Sequence, residues 1–235
     1  MTVPFQLFLC FIPARLDGNM SSVPPDLPQL PSARELRSRR FGSFSYTVEG
    51  HEWRFTTQPG VFSQDGLDIG TQLLIETVLP RVKPHMAVLD LGTGVGVVGI
   101  VLSARVPRGV VWMVDSDVRA VRLAEKNVRA NGVENAQPVL SDITLDLAEK
   151  LRFDLVVSNP PTHSGKEVLA AFVDESYAVL RPGGSLYVVV NRLLSVRAMM
   201  QDRFGNVSQA SKRGGFLILA SEKRRRQNVD TTTGA

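Results

Sequence analysis

The sequence VLDLGTGVG at residues 88–96 has the pattern of a buried strand that runs into a glycine-rich turn. Glycine lacks a Cβ and adopts dihedral angles that other residues avoid, so a ligand can approach the backbone of such a turn closely. A nucleotide-like cofactor is therefore the predicted occupant. The residues expected to bind it here are Asp90, Gly92, Thr93, Gly94 and Gly96.

Two kinds of cofactor compete for this turn. Residues 94–99, GVGVVG, also match the G-x-G-x-x-G fingerprint of dinucleotide binding, which is a weak signal alone. Asp90 argues against that reading, because a carboxylate there would repel a pyrophosphate and suits a cationic amino or sulfonium group. Asp115, 25 residues further on at the end of the next predicted strand, suits the ribose hydroxyls of either cofactor, and Ser116 follows it in the expected site.

A third predicted strand, residues 155–157, ends in Ser158-Asn159-Pro160-Pro161. Proline fixes φ near −65° and has no N–H, so this turn offers hydrogen-bond acceptors rather than donors. Phosphate binding has no use for such a turn, which makes it a candidate for a different chemistry. The alternative is an ordinary Asx-Pro-Pro turn without a catalytic role.

Outside these motifs the chain alternates between strand and helix patterns, which predicts an α/β fold with a mostly parallel sheet. Residues 43–55 predict a β-hairpin, and residues 217–220, approached through Gly214-Gly215, predict a last strand in a second hairpin. The other predicted strands are 87–89, 110–114, 137–140, 155–157 and 185–190, and the predicted helices between them are 95–105, 119–130 and 166–180.

The glycine turn, Asp115 and the Asn159-Pro160-Pro161 turn together resemble the class I S-adenosylmethionine-dependent methyltransferases. Residues 59–74, PGVFSQDGLDIGTQLL, are similar to the opening of the catalytic domain of RsmC-like ribosomal RNA guanine methyltransferases of the small-domain family. The resemblance extends over residues 43–221. It implies a Rossmann-like fold with a seven-stranded sheet, helices on both faces and an N-terminal β-hairpin. It also implies S-adenosylmethionine as cofactor and RNA as partner.

The resemblance adds further site residues. It assigns Asp68, Gly70 and Thr71 to the methionine end of the cofactor, with a simple helix cap as the alternative for Asp68 or Thr71. It assigns Asp142 to the adenine, with a turn cap as the alternative. The catalytic turn that the resemblance implies comprises Asn159, Pro160, Pro161 and Thr162, although Thr162 stands where the family has an aromatic residue. In such a turn the side-chain oxygen of Asn159 and the carbonyl of Pro160 accept the two N–H groups of an exocyclic amine and direct its lone pair towards the methyl donor. His163 is a candidate to stack on a base in its place.

Composition limits the class of protein. With 43% hydrophobic and 21% charged residues, the 235-residue chain has the composition of a globular protein. No apolar stretch approaches the roughly 20 residues needed to cross a bilayer, so we expect no membrane partner. The single cysteine, Cys10, forms no internal disulfide and supplies no zinc cluster, so we expect a cytoplasmic protein without metal.

The net charge of +4 lies entirely at the two ends of the chain. Residues 1–41 carry five basic and three acidic side chains, residues 222–235 carry four and two, and the body between them balances. We expect residues 1–40 to form a flexible Pro/Arg-rich extension, residues 41–222 the methyltransferase domain and residues 223–235 a basic disordered tail. These ends either bind a polyanion or act as solubilising tails.

Four functions remain in competition. The leading one is methyl transfer to an exocyclic amino nitrogen of a base, with guanine of small-subunit ribosomal RNA as the expected target. Methylation of a protein glutamine amide uses the same Asn-Pro-Pro chemistry. A non-catalytic module that binds cofactor or RNA belongs to a different class. A nicotinamide-dependent dehydrogenase is disfavoured by Asp90.

Overall fold

The computed structural model describes residues 42–61, 67–141, 151–160, 165–191 and 194–225. It opens with the predicted hairpin, in which β1 (Gly42–Val48) pairs antiparallel with β2 (His51–Thr57). Both turn residues, Glu49 and Gly50, have positive φ angles of 51° and 78°, as a tight two-residue hairpin turn requires. The aromatic residues of the alternating pattern face the domain, and Trp53 and Phe55 are buried in its core.

The remaining seven strands are β3 (Ala87–Leu91), β4 (Val110–Asp115), β5 (Ala136–Leu140), β6 (Phe153–Ser158), β7 (Leu180–Asn191), β8 (Ser208–Arg213) and β9 (Phe216–Glu222). They form one sheet in the order β5-β4-β3-β6-β7-β9-β8. Neighbouring strands from β5 to β7 are parallel, whereas β9 is antiparallel to both β7 and β8. The prediction of a mostly parallel seven-stranded sheet is confirmed.

Helices cover both faces of this sheet. They are α1 (Ile69–Val78), which continues into a 3-10 turn over Leu79–Arg81, α2 (Val97–Ser103), α3 (Val118–Ala130), α4 (Lys166–Val179) and α5 (Leu194–Phe204). One core cluster joins the hairpin to α1, α2 and α3, and a second packs α4 and α5 on the other face. None of the helices in the described part of the chain is long and apolar enough to cross a membrane.

Helix α5 is absent from the sequence prediction. Its fully buried residues, Val196, Met200 and Phe204, are spaced by four and form a narrow stripe. Such a stripe leaves a weak periodic signal in the sequence, because the apolar residues Ala198 and Met199 lie outside it. The short strand β8 and its hairpin with β9 through Gly214-Gly215 agree with the prediction.

Asn127 of α3 and Asn131, the C-cap residue of that helix, attach the hairpin to the domain. The side-chain oxygen of Asn127 accepts the N–H of Thr56 at 2.8 Å, and its nitrogen donates to the carbonyls of Thr56 at 3.0 Å and Val95 at 2.8 Å. One turn later, Asn131 makes the corresponding pair with Arg54, at 3.0 and 2.8 Å. The amides therefore satisfy backbone groups of β2 that a neighbouring strand would otherwise pair.

Lys223, which the sequence placed at the start of a disordered tail, lies in the packed domain. Its backbone N–H donates to Gly184 at 2.9 Å, and its carbonyl accepts from Gly183 at 2.6 Å. Its ammonium donates to the carbonyls of Tyr177 at 2.7 Å and Leu180 at 2.8 Å, which caps the C-terminal end of α4. Burial lowers the pKa of Lys223, and the nearby charges of Arg152 and Arg203 lower it further. Residues 1–41 and 226–235 lie outside the described residues.

Candidate active site

The strands that carry the three predicted motifs end at the same edge of the sheet. In register, Leu91 at the end of β3 lies beside Val114 of β4 and Ser158 of β6. The hydroxyl of Ser158 donates to the carbonyl of Leu91 at 2.8 Å, which ties the two strand ends together. The glycine turn, Asp115 and Asn159 are thereby brought to one edge, where ligands bind in open parallel sheets.

The glycine turn requires glycine at three positions. Gly92, Gly94 and Gly96 have φ angles of 74°, 57° and 92°, a region that residues with a Cβ rarely adopt. Space is also limiting at Gly96, where a Cβ would lie 2.6 Å from the terminal methyl of Met113. A Cβ on Gly92 would lie 3.8 Å from the ring of Phe172.

The N–H groups of this turn are used within the protein. Those of Gly92 and Thr93 donate to the carbonyl of Val114, at 2.8 and 3.0 Å, and that of Gly96 donates to Thr93 at 3.0 Å. The N–H of Gly94 donates to the carboxylate of Asp115 at 2.8 Å. A pyrophosphate on a dinucleotide-binding turn needs such groups as free donors, so the geometry disfavours the dinucleotide interpretation.

Asp90 is buried beneath the turn, with 2% of its surface exposed. One of its oxygens accepts both the Thr93 hydroxyl at 2.6 Å and the N–H of Gly99 at 2.9 Å. Burial raises the pKa of Asp90 to about 6; the hydrogen bonds from Thr93 and Gly99 oppose that rise, and the charge of Asp115 adds to it. The carboxylate therefore fixes the turn to the start of α2, and its effect on a ligand stays a prediction.

Gly99 belongs to this arrangement, although sequence reasoning gave it no role in the site. A Cβ at Gly99 would lie 2.5 Å from the Cγ of Met113 and 3.1 Å from the Asp90 carboxylate. The signal was available in the sequence, because Gly99 is the last glycine of the GVGVVG pattern.

Asp115 ends β4, with its side chain partly exposed at the edge of the sheet. Beyond its bond from Gly94, it accepts the N–H of Asp117 at 2.9 Å. Asp117 in turn caps the N-terminus of α3. Ser116 is exposed beside it. Asp142, the predicted adenine contact, lies outside the described residues.

Asp68 and Thr71 connect helix α1 to the Asn-Pro turn. Asp68 is the N-cap of α1: one carboxylate oxygen accepts the N–H of Thr71 at 3.0 Å and the other accepts the Thr71 hydroxyl at 2.5 Å. The side-chain nitrogen of Asn159 donates to the Thr71 hydroxyl oxygen at 2.8 Å and lies 3.4 and 3.5 Å from the two Asp68 oxygens. Asp68 therefore caps α1, and the cap also reaches Asn159; the role of Asp68 at the methionine end of the cofactor stays a prediction.

Gly70 has a packing function. A Cβ there would lie 2.8 Å from Val189 of β7 and 3.0 Å from Phe216 of β9. The start of α1 therefore packs directly against the sheet, which holds Asp68 and Thr71 in place. A contact between Gly70 and cofactor stays a prediction.

The rest of the predicted catalytic turn is only partly described. Pro160 is buried next to the half-buried Asn159. Pro161, Thr162 and His163 lie outside the described residues. Within the described ranges, no group of three or more His, Cys, Asp or Glu side chains is arranged to hold a metal ion.

The fold and this edge define a Rossmann-like methyltransferase of class I. A glycine turn, an acidic residue at the end of the next strand and an Asn-Pro turn meet where such sheets bind their ligands. The model of the methyltransferase small domain matches residues 52–220. The chain belongs to that family.

Several relatives share this domain. YbxB of Bacillus subtilis, whose function is uncharacterised, is 29% identical over 184 residues, which cover 77% of this chain and 91% of that protein. Ribosomal RNA small subunit methyltransferase C of Cronobacter sakazakii is 35% identical over 166 residues, which cover 69% of this chain but 47% of that enzyme.

A solved structure with high similarity is the Thermus thermophilus 16S rRNA methyltransferase RsmC in complex with AdoMet and guanosine. It superposes with a TM-score of 0.72 at 34% identity, over 78% of this chain and 51% of that one. The chain therefore spans about half the length of the RsmC proteins that it matches, whereas it spans most of YbxB.

Proposed function

We propose that this protein transfers a methyl group from S-adenosylmethionine to the exocyclic amino nitrogen of a guanine in small-subunit ribosomal RNA. The observation that carries the proposal is the setting of Asn159: its side-chain nitrogen is held by Thr71, so its oxygen remains as an acceptor at the ligand-binding edge of the sheet. The similarity to an RsmC structure that contains AdoMet and guanosine supports the same assignment.

The residues at this edge suit S-adenosylmethionine better than a dinucleotide. We expect Asp115, at the end of β4, to accept the ribose hydroxyls, and the turn of Gly92, Gly94 and Gly96 allows a ligand close to the backbone. Four N–H groups of that turn are already used internally, which a sulfonium ligand tolerates and a pyrophosphate does not. When bound, S-adenosylmethionine supplies a methyl group on a positively charged sulfur that keeps the electron pair of the broken bond.

The protein must then activate the guanine amino group, which is a poor nucleophile. The lone pair of a guanine amino group is delocalised into the ring. Acceptors at the Asn159 oxygen and the Pro160 carbonyl bind its two N–H groups and favour a more tetrahedral nitrogen, whose lone pair is available for attack. These interactions strengthen as the transition state forms, which is the condition for raising turnover. As the new N–C bond forms, the nitrogen releases one proton to solvent.

The proposal is tested by methyl transfer from labelled S-adenosylmethionine to RNA extracted from a strain that lacks this protein. Nucleoside analysis should place the label on the amino group of guanosine in 16S RNA, and RNA from the parent strain should accept little. Label in protein glutamine would establish the competing amide methyltransferase. Cofactor binding without transfer to RNA or protein would indicate a non-catalytic module.

A further inference from the structure

We propose that Asp68 and Thr71 are positioning residues that decide which end of the Asn159 amide faces the substrate. The inference rests on the proposed function, because it gives a reason for the acceptor role of Asn159. It assigns to Asp68 and Thr71 a task other than holding the methionine end of the cofactor.

The number of protons on the three side chains determines the direction of their hydrogen bonds. A threonine hydroxyl has one proton to donate and lone pairs to accept, whereas an ionised carboxylate only accepts. At 2.5 Å from the second oxygen of Asp68, the Thr71 hydroxyl must donate its proton there. The hydroxyl oxygen, 2.8 Å from the Asn159 amide, can then only accept.

That constraint orients the Asn159 amide. Only the NH₂ end can donate, so this end faces Thr71 and the two Asp68 oxygens. The oxygen end points away from them. The reversed amide would place two acceptors against each other at Thr71 and would present a donor to the amine. The chain of hydrogen bonds therefore runs in one direction, from Asn159 through Thr71 to Asp68.

Packing and hydrogen bonds hold the Asp68 end of this hydrogen-bond series in place. The other oxygen of Asp68 accepts the N–H of Thr71 at 3.0 Å, which is the N-cap bond of α1. Gly70 packs against Val189 at a distance that leaves no room for a Cβ, so the cap is fixed to the sheet. Thr71 is itself buried, with 4% of its surface exposed, so water competes little for its hydroxyl.

The isosteric substitution Asp68→Asn reverses the direction of these hydrogen bonds without removing them. In Asp68→Asn, the remaining oxygen keeps the N-cap bond, and asparagine is as good an N-cap as aspartate. The new NH₂ group then donates to the Thr71 hydroxyl, whose proton turns to Asn159. The Asn159 amide must rotate to offer its oxygen, which leaves its NH₂ group facing the substrate amine.

The experiment compares Asp68→Asn, Thr71→Val and Thr71→Ser with the wild type, using kcat, the KM for RNA, the Kd for S-adenosylmethionine and the melting temperature. Asp68→Asn and Thr71→Val should lower kcat by about tenfold to a hundredfold, with KM and Kd within about twofold. Thr71→Ser keeps the hydroxyl and should retain kcat within about threefold.

Thr77→Val is the matched control on the same helix. Thr77 is also buried, and its hydroxyl donates to Leu73 at 2.6 Å and contacts Ser211, away from Asn159. This variant should lower the melting temperature while kcat stays near that of the wild type. If Thr77→Val lost as much kcat as Thr71→Val, the effect of Thr71→Val on kcat would be explained by loss of stability, and Thr71 would have no positioning role.

A second readout needs no catalysis. The NMR signal of the Asn159 side-chain amide, assigned by its absence from Asn159→Ala, should exchange slowly with water in the wild type and faster in Asp68→Asn. Unchanged exchange together with unchanged kcat would overturn the inference, and so would a loss confined to the Kd for S-adenosylmethionine. If the wild type transfers no methyl group, the proposed function fails, while the exchange measurement still decides the orientation of Asn159.

Discussion

The hydroxyl oxygen of Thr71 lies 2.8 Å from the side-chain nitrogen of Asn159, although 88 positions separate the two residues in the chain. Thr71 lies in the first turn of α1, whereas Asn159 follows β6. The contact joins the start of α1 to the turn that we expect to perform the chemistry. The contact also determines that the nitrogen of the Asn159 amide faces Thr71. The catalytic proposal depends on this orientation, because it leaves the amide oxygen as the acceptor for the substrate.

Replacement of Asn159 by alanine should lower turnover by about a hundredfold or more, because the lost acceptor acts chiefly as the amine changes geometry in the transition state. Affinity for S-adenosylmethionine should change little. The measurement is kcat with saturating RNA, together with calorimetric titration of the cofactor. Asn135→Ala provides a control for loss of an asparagine, because among the described residues its side-chain nitrogen donates to the carbonyls of Ser103 and Val106. Turnover of Asn159→Ala within about twofold of the wild type would leave Asn159 as a turn residue.

Replacement of Asp115 by alanine should weaken binding of S-adenosylmethionine by at least about tenfold, since charge-assisted hydrogen bonds contribute about 1.5–3 kcal/mol. Calorimetry measures this directly. Asp174→Ala, which removes a surface carboxylate paired with Arg203, should bind the cofactor like the wild type. Unchanged affinity of Asp115→Ala, or tighter binding of NAD than of S-adenosylmethionine by the wild type, would contradict the cofactor assignment.

Asp90 should make stability depend on pH. Its pKa is about 6 in the folded protein, above the value of about 3.9 expected when unfolded. Protonation of Asp90 therefore stabilises the fold; this contribution is complete below the unfolded pKa and is lost as pH rises through about 6. Asp90→Asn keeps an acceptor for Thr93 and Gly99 and has no charge. Its free energy of unfolding relative to the wild type should rise by about 2–3 kcal/mol between pH 4 and pH 8.

Urea denaturation of both proteins at several pH values checks this prediction. If the difference between them is the same at pH 4 and pH 8, then Asp90 titrates alike in the folded and unfolded states. Calorimetric titration at pH 8 adds a second comparison: Asp90→Asn should bind S-adenosylmethionine more weakly than the wild type, because the cationic ligand loses a nearby negative charge.

Asn127→Ala should lower the free energy of unfolding by about 2–4 kcal/mol, because it leaves the buried carbonyl of Val95 and the partly buried backbone groups of Thr56 without partners. Asn131→Ala should cost less, about 1 kcal/mol, since its bonds to Arg54 lie at an exposed position where water can replace them. Urea unfolding of the two variants makes the comparison. Equal losses would show that burial of the Asn127 amide contributes nothing beyond its bonds.

The basic ends of the chain should increase its affinity for RNA without contributing to cofactor binding by the domain. A chain lacking residues 1–40 and 226–235 loses six basic side chains, five from the first segment and Arg226 from the second. The salt dependence of log K for RNA should fall by about 1–3 units, because each phosphate contact contributes about 0.7–0.9. Binding of S-adenosylmethionine should stay unchanged. An unaltered salt slope would identify the ends as solubilising tails.

The C-terminal boundary provides the control for that truncation. A chain ending at Glu222 also loses Lys223, whose ammonium caps α4, so its melting temperature should fall below that of the chain ending at Arg225. Equal melting temperatures would show that the Lys223 cap contributes nothing to stability.

The sequence alone predicted the class of fold and the motifs of the site, because those signals are local. Alternation of strand and helix patterns indicates a parallel sheet, and parallel strands place their C-terminal ends at one edge. The glycine turn at residues 92–96, Asp115 and Asn159 each follow a strand directly, so their convergence at one edge is a consequence of topology.

Tertiary structure decided the contacts that no spacing encodes. The pairing of Asn127 and Asn131 with β2, the cap that Lys223 places on α4, and the bond from Asn159 to Thr71 each join distant segments. Their sequence signals are ordinary polar residues without periodicity. The orientation of the Asn159 amide depends on a single proton. The Thr71 hydroxyl has one proton to donate, and the position of the Asp68 carboxylate determines that Asp68 accepts it.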